Sequence, residues 1–210
     1  MLRVPALAGR PYAAPLTLIA VASASVSLVA LITYAVGWLP LYFLVDALGA
    51  PSLAALLAVG VIARRVDERV FLGRLIAGIW LGFVATIAYD LIRYLIRAAG
   101  LISFDPFMTH AIFGRLITGY AETTTVAIVA GWAYHYWNGI GLGLMYTLVA
   151  GNARWTYAVV WAVFLEVCWL LTLPSAFQLK LSVAFVAVSL IGHLAYGSTL
   201  GSLAQRFVKC

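Results

Sequence analysis

Two nonapeptides that share one pattern hold the residues most capable of chemistry. His135 to Gly143 reads HYWNGIGLG and His193 to Gly201 reads HLAYGSTLG, both of the form H-x-x-[NY]-G-x-x-L-G. A step of four residues exceeds one helical turn by only about 40°, so His135, Gly139 and Gly143 share one side of a helix, as do His193, Gly197 and Gly201. Each copy sets an imidazole above a strip with no side chains. Asn138 and Tyr196, three residues beyond the histidines, fall on the same faces. An imidazole can ligate a metal or a haem, exchange a proton near neutral pH, or hydrogen-bond to a neighbouring helix. The third histidine, His110, also has a glycine four residues on, but lacks the later Leu-Gly.

The elements that position these residues follow from composition. Of the 210 residues, 65% are hydrophobic and 10% charged, beyond what a soluble core uses, and this predicts an all-α membrane protein. The net charge of +6 does not point to nucleic acid, because Lys and Arg lie between apolar runs rather than clustered on one face. Cys168 sits inside an apolar run and Cys210 at the last position, so no disulfide is expected between them.

Apolar runs predict spans over about 16–36, 41–63, 72–96, 123–150, 155–173 and 181–203, with a short interfacial helix over about 107–119. The first run follows Arg3 and Arg10 and has small residues at Ala22 to Ser25, but is too long for a signal-peptide core, so a first membrane helix is expected. The second contains Asp46, Gly49 and Pro51, which predict a kink or a partly re-entrant course. Six spans put both termini on one side. A cytoplasmic N terminus leaves Arg3, Arg10, Arg64, Arg65, Arg69, Arg74, Arg154, Arg206 and Lys209 inside, against Arg93, Arg97, Arg115 and Lys180 outside, and that excess supports the orientation. The expectation is one domain, a six-helix transmembrane bundle with cytoplasmic termini.

In that topology the helices bearing the repeats run parallel, and His135 and His193 reach a similar depth about twelve residues in. Glu166, about as far along the oppositely directed fifth span, arrives there too. A mid-membrane polar layer of His135, Asn138, Glu166, His193 and Tyr196 is therefore expected. Two imidazoles and a carboxylate suit a divalent metal; two imidazoles suit a haem, and one a chlorin; a His and a Glu suit proton relay. Simple helix-to-helix hydrogen bonding explains the same residues without any ligand. Gly78 and Gly82 form a further GxxxG pair, and with Gly139, Gly143, Gly197 and Gly201 they read as close-packing positions.

A second polar cluster lies toward the outer end of the third span. Asp90 and Arg93 are three apart and can pair internally, while Arg97 can snorkel outward. Asp105, His110, Arg115 and Glu122 follow on the same side and read as interfacial charges, or as ligands for a metal or a lipid headgroup. Deep tryptophans such as Trp137 and Trp161 read as packing residues.

The motifs H-x-x-x-G-x-x-x-G-x-x-Y at His135, Gly139, Gly143 and Tyr146, and GHLAYGSTLG at Gly192 to Gly201, resemble those of a family of small bacterial multi-pass membrane proteins of uncharacterised function. The resemblance covers residues 125–205, with an echo at GFVATIAYD in the third span. It implies a helical bundle in the bacterial inner membrane and brings no activity or cofactor with it.

No phosphate-binding loop, G-x-S-x-G elbow, HExxH or CxxC is present, so catalysis is not indicated. The expected function is a non-enzymatic polytopic protein that binds a hydrophobic or ionic ligand in its polar layer, or serves as an accessory subunit of a larger membrane complex or a homo-oligomer. A redox or metal-dependent protein using His135 and His193, and a proton-coupled transporter, are the alternatives.

Overall fold

The structure, a computed structural model, describes residues 12–208. Arg3, Arg10, Lys209 and Cys210 lie outside the described residues. Eight helices follow one another: α1 (Ala13–Ala24), α2 (Val26–Ala35), α3 (Leu41–Arg65), α4 (Arg69–Ala98), α5 (Met108–Thr118), α6 (Thr125–Ala150), α7 (Trp155–Ala176) and α8 (Val183–Phe207).

Helix boundaries follow local chemistry. The hydroxyls of Thr124 and Ser182 accept from the amides of Ala127 and Phe185, capping the starts of α6 and α8. Gly119, at φ 70°, ends α5 in the left-handed conformation that glycine adopts without strain. At the other end of α6, the buried Arg74 of α4 donates to the carbonyl of Leu148, a cation placed on exposed helix-terminal carbonyls.

The expected first span is a bent pair, since α1 and α2 meet at Ser25 at an angle of 45°. The bend lies where the pair crosses α6, with the carbonyl of Ala24 against Gly141 and that of Ser27 accepting a 2.6 Å bond from the Tyr134 hydroxyl. Helix α3 runs unbroken through Pro51, so its chain does not turn back on itself at that residue.

Four helices, α3, α4, α7 and α8, are long and apolar enough to cross a membrane, and the α1–α2 pair makes a fifth if taken together. Their outward side chains are apolar, with Leu57, Val160, Leu171 and Val183 among the most exposed, which suits contact with lipid. Helix α6, expected as a span, falls short of that apolarity because Tyr, His, Trp, Asn and Gly crowd its centre. It lies instead against α1, α2, α4 and α5, which cover those groups.

Two antiparallel pairs build the core. In the first, Gly78, Gly82 and Thr86 of α4 meet Leu144 with Thr147, Gly143 with Ile140, and Gly139 of α6 respectively. In the second, Gly197 of α8 meets Ala158 and Ala162 of α7, and Gly201 meets Trp155 and Ala158. Helix α4 also packs along α8, while α2 touches both α6 and α7. A Cβ on Gly143 would collide with the Cα of Gly82, so the first pair closes backbone to backbone.

Candidate functional site

The two pairs have the same construction, residue for residue. Gly82, Thr86 and Asp90 on α4 face Gly143, Gly139 and His135 on α6. Ala158, Ala162 and Glu166 on α7 face Gly201, Gly197 and His193 on α8. Small residues at steps of four bring the backbones together, and the third position of each series holds an acid or a histidine instead. The outcome is two carboxylate–imidazole pairs. His135 lies ten residues into α6 and His193 ten residues into α8, each about 15 Å from its helix start and so near the middle of its helix.

The geometry determines the proton positions. His193 Nδ1 lies 2.9 Å from Glu166 Oε2 and 3.0 Å from the carbonyl oxygen of its own helix residue Ser189. A carbonyl only accepts, so Nδ1 carries the hydrogen and the neutral ring keeps its lone pair on Nε2. Ser189 Oγ donates to the same Oε2 at 2.9 Å, while Oε1 of Glu166 is buried without a hydrogen-bond partner. In the other pair, His135 Nε2 lies 3.1 Å from both oxygens of Asp90. Two carboxylate oxygens equally near one ring nitrogen act as its acceptors, so Nε2 is the donor there, and the Arg93 guanidinium lies 3.7 Å from Asp90.

Tyr89 contacts both imidazoles. Its ring centroid lies 5.8 Å from that of His135 and 5.1 Å from that of His193, and the Arg93 guanidinium sits 4.6 Å from its centre. This arrangement corrects the single ligand set expected from His135, Glu166 and His193, because each histidine is held by a different acid.

The second polar cluster also divides. Arg97 and Asp105 pair at 2.8 Å, half-exposed, and Glu122 is exposed and apart from them. His110 has left that surface group: it is 2% exposed and stacks on Trp132 and His135 with centroid distances of 4.2 Å each. Helix α5 is thus no surface-lying helix. Gly114 and Gly131 let its backbone touch that of α6 at Ala127 and His110, which lodges His110 beside the middle of α6. Burial, reinforced by His135 and Arg93 nearby, lowers the His110 imidazole to about 2, so it is neutral.

All three histidines line one cavity of about 90 Å³, with Tyr89, Arg93, Asn138 and Tyr196. Its apolar wall includes Leu31, Phe113, Leu165, Trp169, Phe185 and Val188, and the α4–α5 connection adds Phe104 and the fully buried Pro106. The volume is far below the roughly 300 Å³ and more of cavities that enclose larger organic ligands, so neither a haem nor a chlorin fits. Along α4, α6 and α8 the lining residues lie on one side of Gly82, Gly143 and Gly197, and the fully buried Leu81, Leu144 and Leu200 on the other. Asn138 Oδ1 accepts from Ser27 Oγ at 3.1 Å, and the Tyr196 hydroxyl donates to the Gly139 carbonyl at 2.7 Å. Glu166 stands behind His193, outside the lining.

Sequence reasoning grouped His135 with Glu166 rather than with Asp90, placed Asp90 and His110 in a separate outer cluster, and left out Tyr89. The missed signal was the four-residue spacing Gly78, Gly82, Thr86, Asp90, which mirrors His135, Gly139, Gly143 in an antiparallel partner. Comparison with protein-family models, with curated proteins and with solved structures gives no match.

Proposed function

We propose that this protein is a six-span bundle of the bacterial inner membrane, with cytoplasmic termini, that binds a small ligand in the cavity between its two hairpin pairs. The apolar exterior of the long helices and the distribution of basic residues support that location and orientation. The span count treats α1–α2 as one crossing and α6 as a crossing sheltered by its neighbours.

The observation that carries the binding reading is the convergence of His110, His135, His193 and Arg93 on one cavity. Ionisable groups at this depth are costly, by about 2.5–3.5 kcal/mol each on insertion scales, and are retained where they meet a partner. Arg93 Nε is buried with no hydrogen-bond partner, and one lone pair of the His193 ring points away from its acid. The ligand that satisfies this lining has an anionic or acceptor group for Arg93 and an apolar portion for Leu165, Phe185 and Val188. Association with a larger membrane complex, or with a second copy, is compatible with the apolar exterior.

Native mass spectrometry of the full chain, purified from its own membranes, tests this. A co-purifying small molecule of uniform mass is expected in the wild type, and is expected to be lost in Arg93→Gln and in the cavity-filling Val188→Trp. Wild-type protein that is ligand-free, or a ligand retained by both variants, sinks the proposal.

A further inference from the structure

The structure supports a second and more specific assignment. We infer that Asp90, His110 and His135 form a binding site for a divalent transition metal ion. One ligand atom from each of these residues lies within 4.8 Å of the others, and the three come from different helices, α4, α5 and α6. Metal–ligand bonds of about 2.0–2.2 Å place neighbouring ligand atoms about 3 to 3.5 Å apart in tetrahedral or octahedral sites. The separation of 3.1 Å between His135 Nε2 and each Asp90 oxygen already meets that requirement. Only His110 has to move inward, by little more than 1 Å.

A second observation points independently to a missing partner. His110 is almost completely buried, yet its Nδ1 has no hydrogen-bond partner. Leaving such a nitrogen unsatisfied costs about 1–3 kcal/mol. Its surroundings, Phe107, Trp132 and the His135 ring, offer it π faces rather than an acceptor.

Among the described residues the cation beside the site is Arg93, 3.7 Å from Asp90. It does not depend on Asp90 alone, because its guanidinium also lies 4.6 Å and 5.2 Å from the ring centres of Tyr89 and Phe107. Binding therefore exchanges one cation at Asp90 for another and leaves Arg93 on the aromatic rings. The hydrogen on His135 Nε2 moves to Nδ1 as the metal takes its place, so no proton is gained or lost by the ring. Two imidazoles and one carboxylate leave coordination positions open. Both histidines line the cavity, so those positions face it.

The test uses the metal alone. The full-length protein in detergent, stripped with chelator, is titrated with Co²⁺, and retained metal is measured after desalting together with its visible ligand-field bands. About one equivalent is expected, with weak bands and no thiolate charge-transfer absorption. Loss of affinity by at least about tenfold is expected in His110→Gln, His135→Gln and Asp90→Asn, while His193→Gln and Glu166→Gln retain binding. Each variant is also scored by the Co²⁺-induced rise in unfolding temperature, which reports on folded protein alone. Wild type that retains no metal overturns the inference. So does retention that survives His110→Gln and His135→Gln, retention lost in His193→Gln, or a thiolate band. Because no organic ligand is added, absence of the co-purifying molecule and absence of the metal are separate results.

Discussion

The hydroxyl of Tyr196 donates to the carbonyl oxygen of Gly139 across 2.7 Å, which ties the second copy of the histidine–glycine repeat to the first beneath the cavity. The bond satisfies a hydroxyl that is otherwise buried among apolar residues. Tyr196→Phe removes the donor and keeps the ring, so unfolding in detergent should show a loss of about 1 kcal/mol. A variant as stable as wild type would mean that the two copies are joined by packing alone.

Glycine positions sort by what a side chain would meet. Gly143→Leu drives a side chain into the Gly82 backbone, and Gly197→Leu into that of Ala158 and Val159. Each should lower stability by about 3 kcal/mol or more, since overpacking cannot be relieved against backbone. Gly73 on the same helix as Gly82 has nothing near its Cβ position, and Gly73→Ala should stabilise α4 by about 0.5–1 kcal/mol. Thermal unfolding of the three variants side by side decides this; equal effects would contradict the close approach.

Glu166 supplies the acceptor for both Ser189 and His193. Glu166→Gln keeps one oxygen for them, while Glu166→Ala leaves two buried donors competing for the Ser189 carbonyl. The alanine variant should lose about 3–5 kcal/mol and the glutamine variant clearly less. The reverse order would show that the carboxylate's charge, rather than its acceptor oxygen, holds α7 to α8.

Acid should destabilise the fold through His110. Its folded value, near 2, lies below the unfolded value of 6.5, so between those limits the unfolded chain binds a proton that the folded chain refuses. The contribution is fully present above pH 6.5. As pH falls below 6.5 it is lost at about 1.4 kcal/mol per pH unit, with the loss ending near pH 2. His110→Gln, which titrates in neither state, should show a flatter fall in unfolding temperature between pH 6.5 and 4.5. A slope equal to that of wild type would place the acid sensitivity elsewhere.

Much of this architecture is legible in the sequence, and the parts that are not share a cause. Apolar runs and glycine steps of four announce the helices and their close faces, because both depend on one helix at a time. Which acid meets His135 is a property of two helices, and Asp90 becomes its partner only once α4 and α6 are set antiparallel with Gly82 against Gly143. The depth of His110 likewise depends on Gly114 and Gly131 clearing a path for α5, whereas an eleven-residue helix considered alone reads as a surface element. The bend at Ser25 lies where α6 crosses at Gly141, and the Ser25 hydroxyl there donates to the carbonyl of Ala22, a local bond that the small residues Ala22 to Ser25 hint at without fixing the angle.

The glycine contacts also bear on how the site would respond to an energised membrane. They close α4 on α6 and α7 on α8 at one side of the cavity, so in the proposed bundle a charge reaching the site from the other side would cross only part of the transmembrane field. A full crossing is worth about 2.3 kcal/mol per elementary charge at 100 mV. A site near mid-depth would feel about half of that, which amounts to a several-fold change in occupancy when the potential is collapsed. The protein would then register voltage through how much ligand it holds, with no helix having to move.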